Sequence, residues 1–153
     1  MSAHERTGWR DESISRRHRE WGYNCPAVDL DFLVAEYNLG KPVALIEYKH
    51  ERARWPDLQH ATYRALRELA DVADLPFAVV FYRQNPWRFL VLPANEKAQD
   101  FYQGQRSLSE LRFVRSLYVL RERVVDASVE PLLSDLEDPL SSWPAAEIKA
   151  VAA

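Results

Sequence analysis

VDLDFLVAEY at residues 28–37 and VALIEYK at residues 43–49, joined by NLGKP, decide the fold. Both runs are rich in β-branched and aromatic residues, and the link supplies Asn, Gly and Pro. That pattern predicts a β-hairpin. Side chains alternate faces along a strand. Asp29 and Asp31 therefore share one face of the first strand, and Glu47 and Lys49 share one face of the second. Ile46 and Tyr48 point the other way. A register pairing odd with odd residues brings the four charges together, with Asp31 opposite Glu47 and Asp29 opposite Lys49. The turn at Asn38–Lys41 allows that register without fixing it.

Such a cluster has two readings. One is the polar face of a half-exposed hairpin, with cross-strand ion pairs worth about 0.2–1 kcal/mol each. The same face also carries Leu33, Ala35, Val43 and Leu45, which argues for partial burial. Clustered carboxylates are costly there unless a cation joins them. A divalent metal supplies that cation. Magnesium takes oxygen ligands and keeps several waters, so one or two carboxylates suffice. A neighbouring lysine then holds an attacking water or offsets phosphorane charge.

With these residues in view, VDLDFLVAEY…VALIEYK resembles the PD-(D/E)XK nuclease superfamily. Its shared pattern is an acidic residue on one hairpin strand and (D/E)-x-K on the next, followed by a helix. Asp31 fits the first acid, and Glu47-Tyr48-Lys49 fits the tripeptide. Gln59 and Tyr63, on the helix expected from Asp57, resemble the Gln and Tyr of the RecB-like and λ-exonuclease-like branches. Residues four apart share a helix face. The Holliday-junction-resolvase-like branch is a further one that the pattern resembles. The match covers residues 12–83, about half of the chain. Pro26 is not adjacent to the acid, which makes Asp29 a rival first ligand. On the first helix Glu12 and Glu20 are weaker acids for the site. Glu147-Ile148-Lys149 repeats the tripeptide in the tail and is given no role.

The resemblance implies a restriction-endonuclease-like α/β fold, a single domain with a mixed β-sheet flanked by helices. It implies a metal-dependent nuclease hydrolysing DNA phosphodiester bonds in repair, recombination, restriction or phage DNA processing. Asp31 and Glu47, with the Tyr48 carbonyl and Asp29 as further ligands, would hold Mg2+ or Mn2+. Lys49 would activate or stabilise, and Gln59 and Tyr63 would support Lys49 or touch the substrate backbone. DNA is the implied partner, RNA the alternative, and a homodimer the implied oligomer. The competing reading is a catalytically inactive nuclease-like domain that binds nucleic acid or protein.

The rest of the chain is consistent with one domain of 153 residues. Residues 1–10 read as a flexible arm, 11–125 as the nuclease-like domain and 126–153 as an acidic Pro/Ala-rich tail. Helices are expected at 11–21, from Asp57 for about four turns, around 95–103, and at 107–123. The last rests on Ser107 and Glu110 as a capping box. Strands are expected at 77–83 and 87–93. A net charge of −3 excludes a generic polyanion binder, so any nucleic-acid surface is local; Arg16, Arg17, His18 and Arg19 form one basic run. Residues 124–153 carry one Lys/Arg against six Asp/Glu, which makes the tail the acidic part. The single Cys25 excludes an internal disulfide and a cysteine zinc cage. His18, His50 and His60 show no zinc spacing with it. Trp9, Trp21, Trp55, Trp87 and Trp143 are expected in the core or at its edge, with Trp55 also able to stack on a base. No apolar run suits a membrane helix and the N-terminus is too polar for a signal peptide, so a cytoplasmic protein is expected.

Overall fold

A computed structural model describes residues 12–22, 27–28 and 30–144. Asp29, Cys25 and Pro26 lie outside them, as do the arm and the Glu147–Lys149 tripeptide. The order is α1 (Glu12–Trp21), β1 (Phe32–Glu36), β2 (Lys41–His50), α2 (Ala61–Val72), β3 (Phe77–Arg83), β4 (Arg88–Pro93), α3 (Glu96–Tyr102), β5 (Arg106–Ser109) and α4 (Glu110–Leu120). The strands form one five-stranded mixed sheet in sequence order. β2 and β3 run parallel, joined through α2, and the other neighbours are antiparallel. The protein is thus an α/β domain with a mixed sheet flanked by helices.

The hairpin forms as its sequence predicts, with a shorter first strand. A single 3-10 turn, Tyr37–Leu39, closes it, and Gly40 takes the left-handed conformation (φ 59°) that returns the chain into β2. Pairing runs from Phe32↔Ile46 to Glu36↔Lys41, with a bulge between Val34 and Ala35. Val28, Leu30 and Asp31 precede the paired residues and are exposed.

Alternation along β2, β3 and β4 makes two cores. Leu45, Val79, Phe81, Leu90 and Leu92 face α2, where Tyr63, Leu66 and Ala70 meet them. Ile46, Val80, Phe89 and Val91 face the other way, against Tyr102 of α3 and Phe113 of α4. Phe77 and Phe81 are fully buried, each worth about 1.5–3 kcal/mol relative to exposure. Trp143 is 2% exposed and completes the α2-side core. Its indole N–H donates to Ser107 Oγ at 2.8 Å, and the Arg83 guanidinium lies 4.2 Å from its ring.

Two helix starts differ from expectation. α2 begins at Ala61, not Asp57. The Asp57 carboxylate accepts from the Gln59 amide at 2.9 Å, a turn that competes with helix, and His60 caps Thr62 instead. Likewise Ser107 belongs to β5, where Leu108 pairs with Phe89 and enters the core. The cap of α4 is Ser109, whose Oγ accepts from the Arg112 amide at 3.1 Å. Pairing with β4 claimed the residues that local spacing had assigned to the first turn of a helix.

Glu36 closes the open edge of the sheet. It is 2% exposed, and its Oε2 accepts from Arg121 at 3.2 Å and from Arg123. The Arg123 hydrogen bond is the main influence on its carboxyl. Burial opposes it, while the charges of both arginines reinforce it, so the pKa lies below the ordinary 4.5. A carboxyl lowered by folding adds stability above its unfolded pKa and loses it as pH falls through the folded value. The urea midpoint is therefore expected to fall as pH drops below about 4.5. Glu36→Gln, weaker at neutral pH, is expected to lose less over that window. Identical acid slopes in the two proteins would exclude Glu36 as the source.

Candidate functional site

Glu47 and Lys49 lie near the C-terminal end of β2, beside Val79 and Phe81 of β3. Strand alternation turns both toward α2. There the first turn of the helix presents Tyr63, whose hydroxyl donates to Glu47 Oε1 at 3.1 Å. The Lys49 ammonium is 3.4 Å from the same oxygen and sits 5.9 Å from the phenol ring centroid. The side chains of Lys49 and Glu47 are 25% and 20% exposed, so the cluster is sheltered yet open to solvent. Both contacts fall on Oε1, and Oε2 takes part in neither.

Burial acts against the Lys49 ammonium, but hydrogen bonding and charge from Tyr63 and Glu47 outweigh it and hold its pKa above the ordinary lysine value. Burial raises the Tyr63 phenol, with Glu47 adding to the shift and Lys49 opposing it. Lys49 is therefore a cation and Tyr63 a neutral donor at neutral pH. Lys49 can hold and stabilise an oxyanion or a water, and it does not take up a proton.

The pairing of β1 with β2 ends at Phe32↔Ile46, one residue short of Asp31 and Glu47. Asp31 is exposed and makes no hydrogen bond or ion pair among the described residues. The odd residues of β2 bond to β3, as Leu45 N to Pro76 O and Glu51 N to Tyr82 O show. The even residues therefore direct their backbone groups toward β1. Pairing with β1 ends at Phe32, so the Tyr48 carbonyl is directed past the end of that strand. The Tyr48 ring is on the opposite face, edge-on to Phe32 and Phe113, and burial pushes its phenol up to about 12. Asp29 is outside the described residues.

The ligands that the resemblance implies, two carboxylates and a main-chain carbonyl, would offer oxygen alone. Such a set suits a hard cation such as magnesium, not zinc. Among the described residues no group of three or more His, Cys, Asp or Glu is arranged to hold a metal.

Gln59 does not join the cluster in the expected way. It lies before α2, in the exposed turn capped by Asp57, so it shares no helix face with Tyr63. Glu51 continues the parity of Glu47 and Lys49 just beyond the end of β2. Its carboxylate accepts from Arg83 at 2.6 Å, and that guanidinium also bonds Asp138 and Ser142 of the tail. His50 accepts from the Arg52 amide. Trp55 stacks on Phe81, with centroids 5.9 Å apart.

No protein-family model matches this sequence, and no curated protein or solved structure matches it. No helix among the described residues is long and apolar enough to cross a membrane.

Proposed function

We propose that the protein is a magnesium-dependent phosphodiesterase that hydrolyses DNA, with the restriction-endonuclease-like fold and PD-(D/E)XK site that its hairpin resembles. The observation that carries this reading is the sheltered contact of Glu47, Lys49 and Tyr63 at the end of β2. Asp31 and Glu47 would hold the cation, the Tyr48 carbonyl would assist, and Asp29 is the rival or supporting acid. Magnesium, when bound, supplies Lewis acidity toward the phosphate and acidifies water.

The chain's own groups do the rest. Lys49, kept protonated, donates to a non-bridging phosphate oxygen or orients the water. Tyr63 fixes the Glu47 carboxylate and the Lys49 ammonium against each other. Hydrolysis forms one bond from water oxygen to phosphorus and breaks one ester bond to the leaving oxygen, with the attacking water giving its proton to solvent and the leaving oxygen taking one from solvent. Lys49 favours that step through the negative charge it offsets. Gln59, outside the helix, is left with contact to the substrate backbone as its role.

Incubating the protein with plasmid and linear DNA in magnesium, manganese, calcium and EDTA tests the reading. Nicking or shortening with the first two only is the expected result. Cleavage of equal rate in EDTA overturns the metal mechanism, and no cleavage of any DNA or RNA form leaves the inactive binding module. That second reading is favoured by Glu47 Oε1, which is already engaged by both Tyr63 and Lys49.

The choice of ligand is separable by calorimetry. Asp31→Asn is expected to remove magnesium binding. Asp29→Asn is expected to weaken it less, as loss of a supporting group is milder than loss of a ligand. Loss of binding in Asp29→Asn alone would make Asp29 the primary ligand.

A further inference from the structure

The connection from β2 to α2 carries cations that the fold itself does not use. Every arginine from Arg67 to Arg123 gives its guanidinium to a carboxylate, a hydroxyl or a main-chain carbonyl. Arg52, Arg54 and Arg64 make no such bond among the described residues, and all three are exposed.

Their direction follows from the connection's packing. Ala53 and Trp55 turn inward onto the α2-side core. Arg52 and Arg54 alternate with them and project to solvent. The loop is fixed from both sides, by Trp55 on Phe81 and by Arg67 donating to the Leu58 carbonyl at 2.6 Å. Arg64 follows Tyr63 in the first turns of α2 and lines an open groove with Ala61, Ala65, Arg67 and Glu68. Neither acid of the connection forms an ion pair with these cations among the described residues. Glu51 is bound by Arg83, and Asp57 accepts from the Gln59 amide.

We infer that Arg52, Arg54 and Arg64 form a phosphate-binding strip that seats a nucleic-acid backbone across the Glu47–Lys49–Tyr63 cluster. Guanidinium groups match phosphate oxygens in a planar, two-pronged geometry. A protein of net charge −3 has no general attraction for nucleic acid, so a local strip must provide it. The choice of nucleic acid over another polyanion rests on the phosphodiesterase reading of the adjoining cluster.

Labelled duplex and single-stranded DNA, titrated by fluorescence anisotropy in EDTA so that nothing is cut, provide the test. Removing a phosphate contact lowers the slope of log affinity against log salt by about 0.9 on a duplex. The triple variant Arg52→Ala/Arg54→Ala/Arg64→Ala is therefore expected to lose about 2.7 of slope, with each single variant losing about one third of that. Arg115→Ala removes the same charge from α4, where it pairs with Glu130, and is expected to leave the slope unchanged.

Wild-type affinity and slope in the triple variant overturn the proposal, as does an equal loss in Arg115→Ala. Binding to polyglutamate with none to either DNA form also overturns it, and makes the partner an acidic protein. The two readings fail separately. Strip-dependent binding by a protein that cuts nothing ends the phosphodiesterase reading and supports the strip. Cleavage at unchanged KM without the three arginines does the reverse.

Discussion

Glu47→Gln and Lys49→Ala are each expected to lower magnesium-dependent cleavage by about 100- to 1,000-fold or more while leaving the domain folded. Glutamine keeps the shape of Glu47 and its hydrogen bond from Tyr63, and removes the charge a cation needs. Alanine at 49 removes the ammonium 3.4 Å from that carboxylate. Both side chains are partly exposed, so neither change leaves a sealed unpaired charge. Tyr63→Phe is the contrasting variant. Lys49 retains Glu47 as a partner, and the expected loss is about tenfold or less. Circular dichroism and urea midpoints establish that the variants are folded, and single-turnover cleavage of a labelled duplex reads the effect. Cleavage by Glu47→Gln at the wild-type rate would sink the site. The raised pKa of Lys49 adds a pH signature. A group that must be protonated and is held above its ordinary pKa stays active through neutral pH, so the Lys49-dependent loss of rate is expected only on the alkaline limb.

The second large effect is on stability. Trp143→Ala is expected to destabilise the domain by about 3–5 kcal/mol, the usual range for emptying a buried aromatic site. The ring is 2% exposed within the α2-side core, and it carries a hydrogen bond to Ser107 and the stacked Arg83 guanidinium. Removing it also frees the segment that holds Asp138 against Arg83 and Arg88. Trp143→Phe keeps most of the packing and is expected to cost less. Urea denaturation followed by circular dichroism measures both. A change below about 1 kcal/mol for the alanine variant would mean that the C-terminal segment is only loosely attached. Truncation before Glu130 is expected to exceed the point mutation. It also removes the Ser134 carbonyl that accepts from Leu111 at the start of α4, and the Asp135 carboxylate that holds Ser109.

Local chemistry in the sequence determined the hairpin, α1, β3, β4 and α3, because period-2 runs, turn residues and caps act over a few positions. It also put Glu47 and Lys49 on one face, since alternation leaves a strand no other choice. Asn95 illustrates the limit of such signals. Its caps on α3 are local, yet the same side chain accepts from Phe77 and donates to Asp71 and Leu75, eighteen to twenty-four residues away.

Tertiary structure decided the rest. Tyr63 meets Glu47 because the parallel pairing of β2 with β3 lays α2 over that face, whereas the turn that keeps Gln59 off the helix is a local contact with Asp57. Arg106–Ser109 became a strand because β4 offered an unpaired edge. Trp143 was expected in the core or at its edge, but that it joins the α2-side cluster with Leu90 and Leu92, from a stretch whose composition reads as a surface tail, was decided across the sheet. Contacts of this kind depend on which elements meet across the sheet. That is set by the summed burial of the whole domain and leaves no mark in the spacing of neighbouring residues.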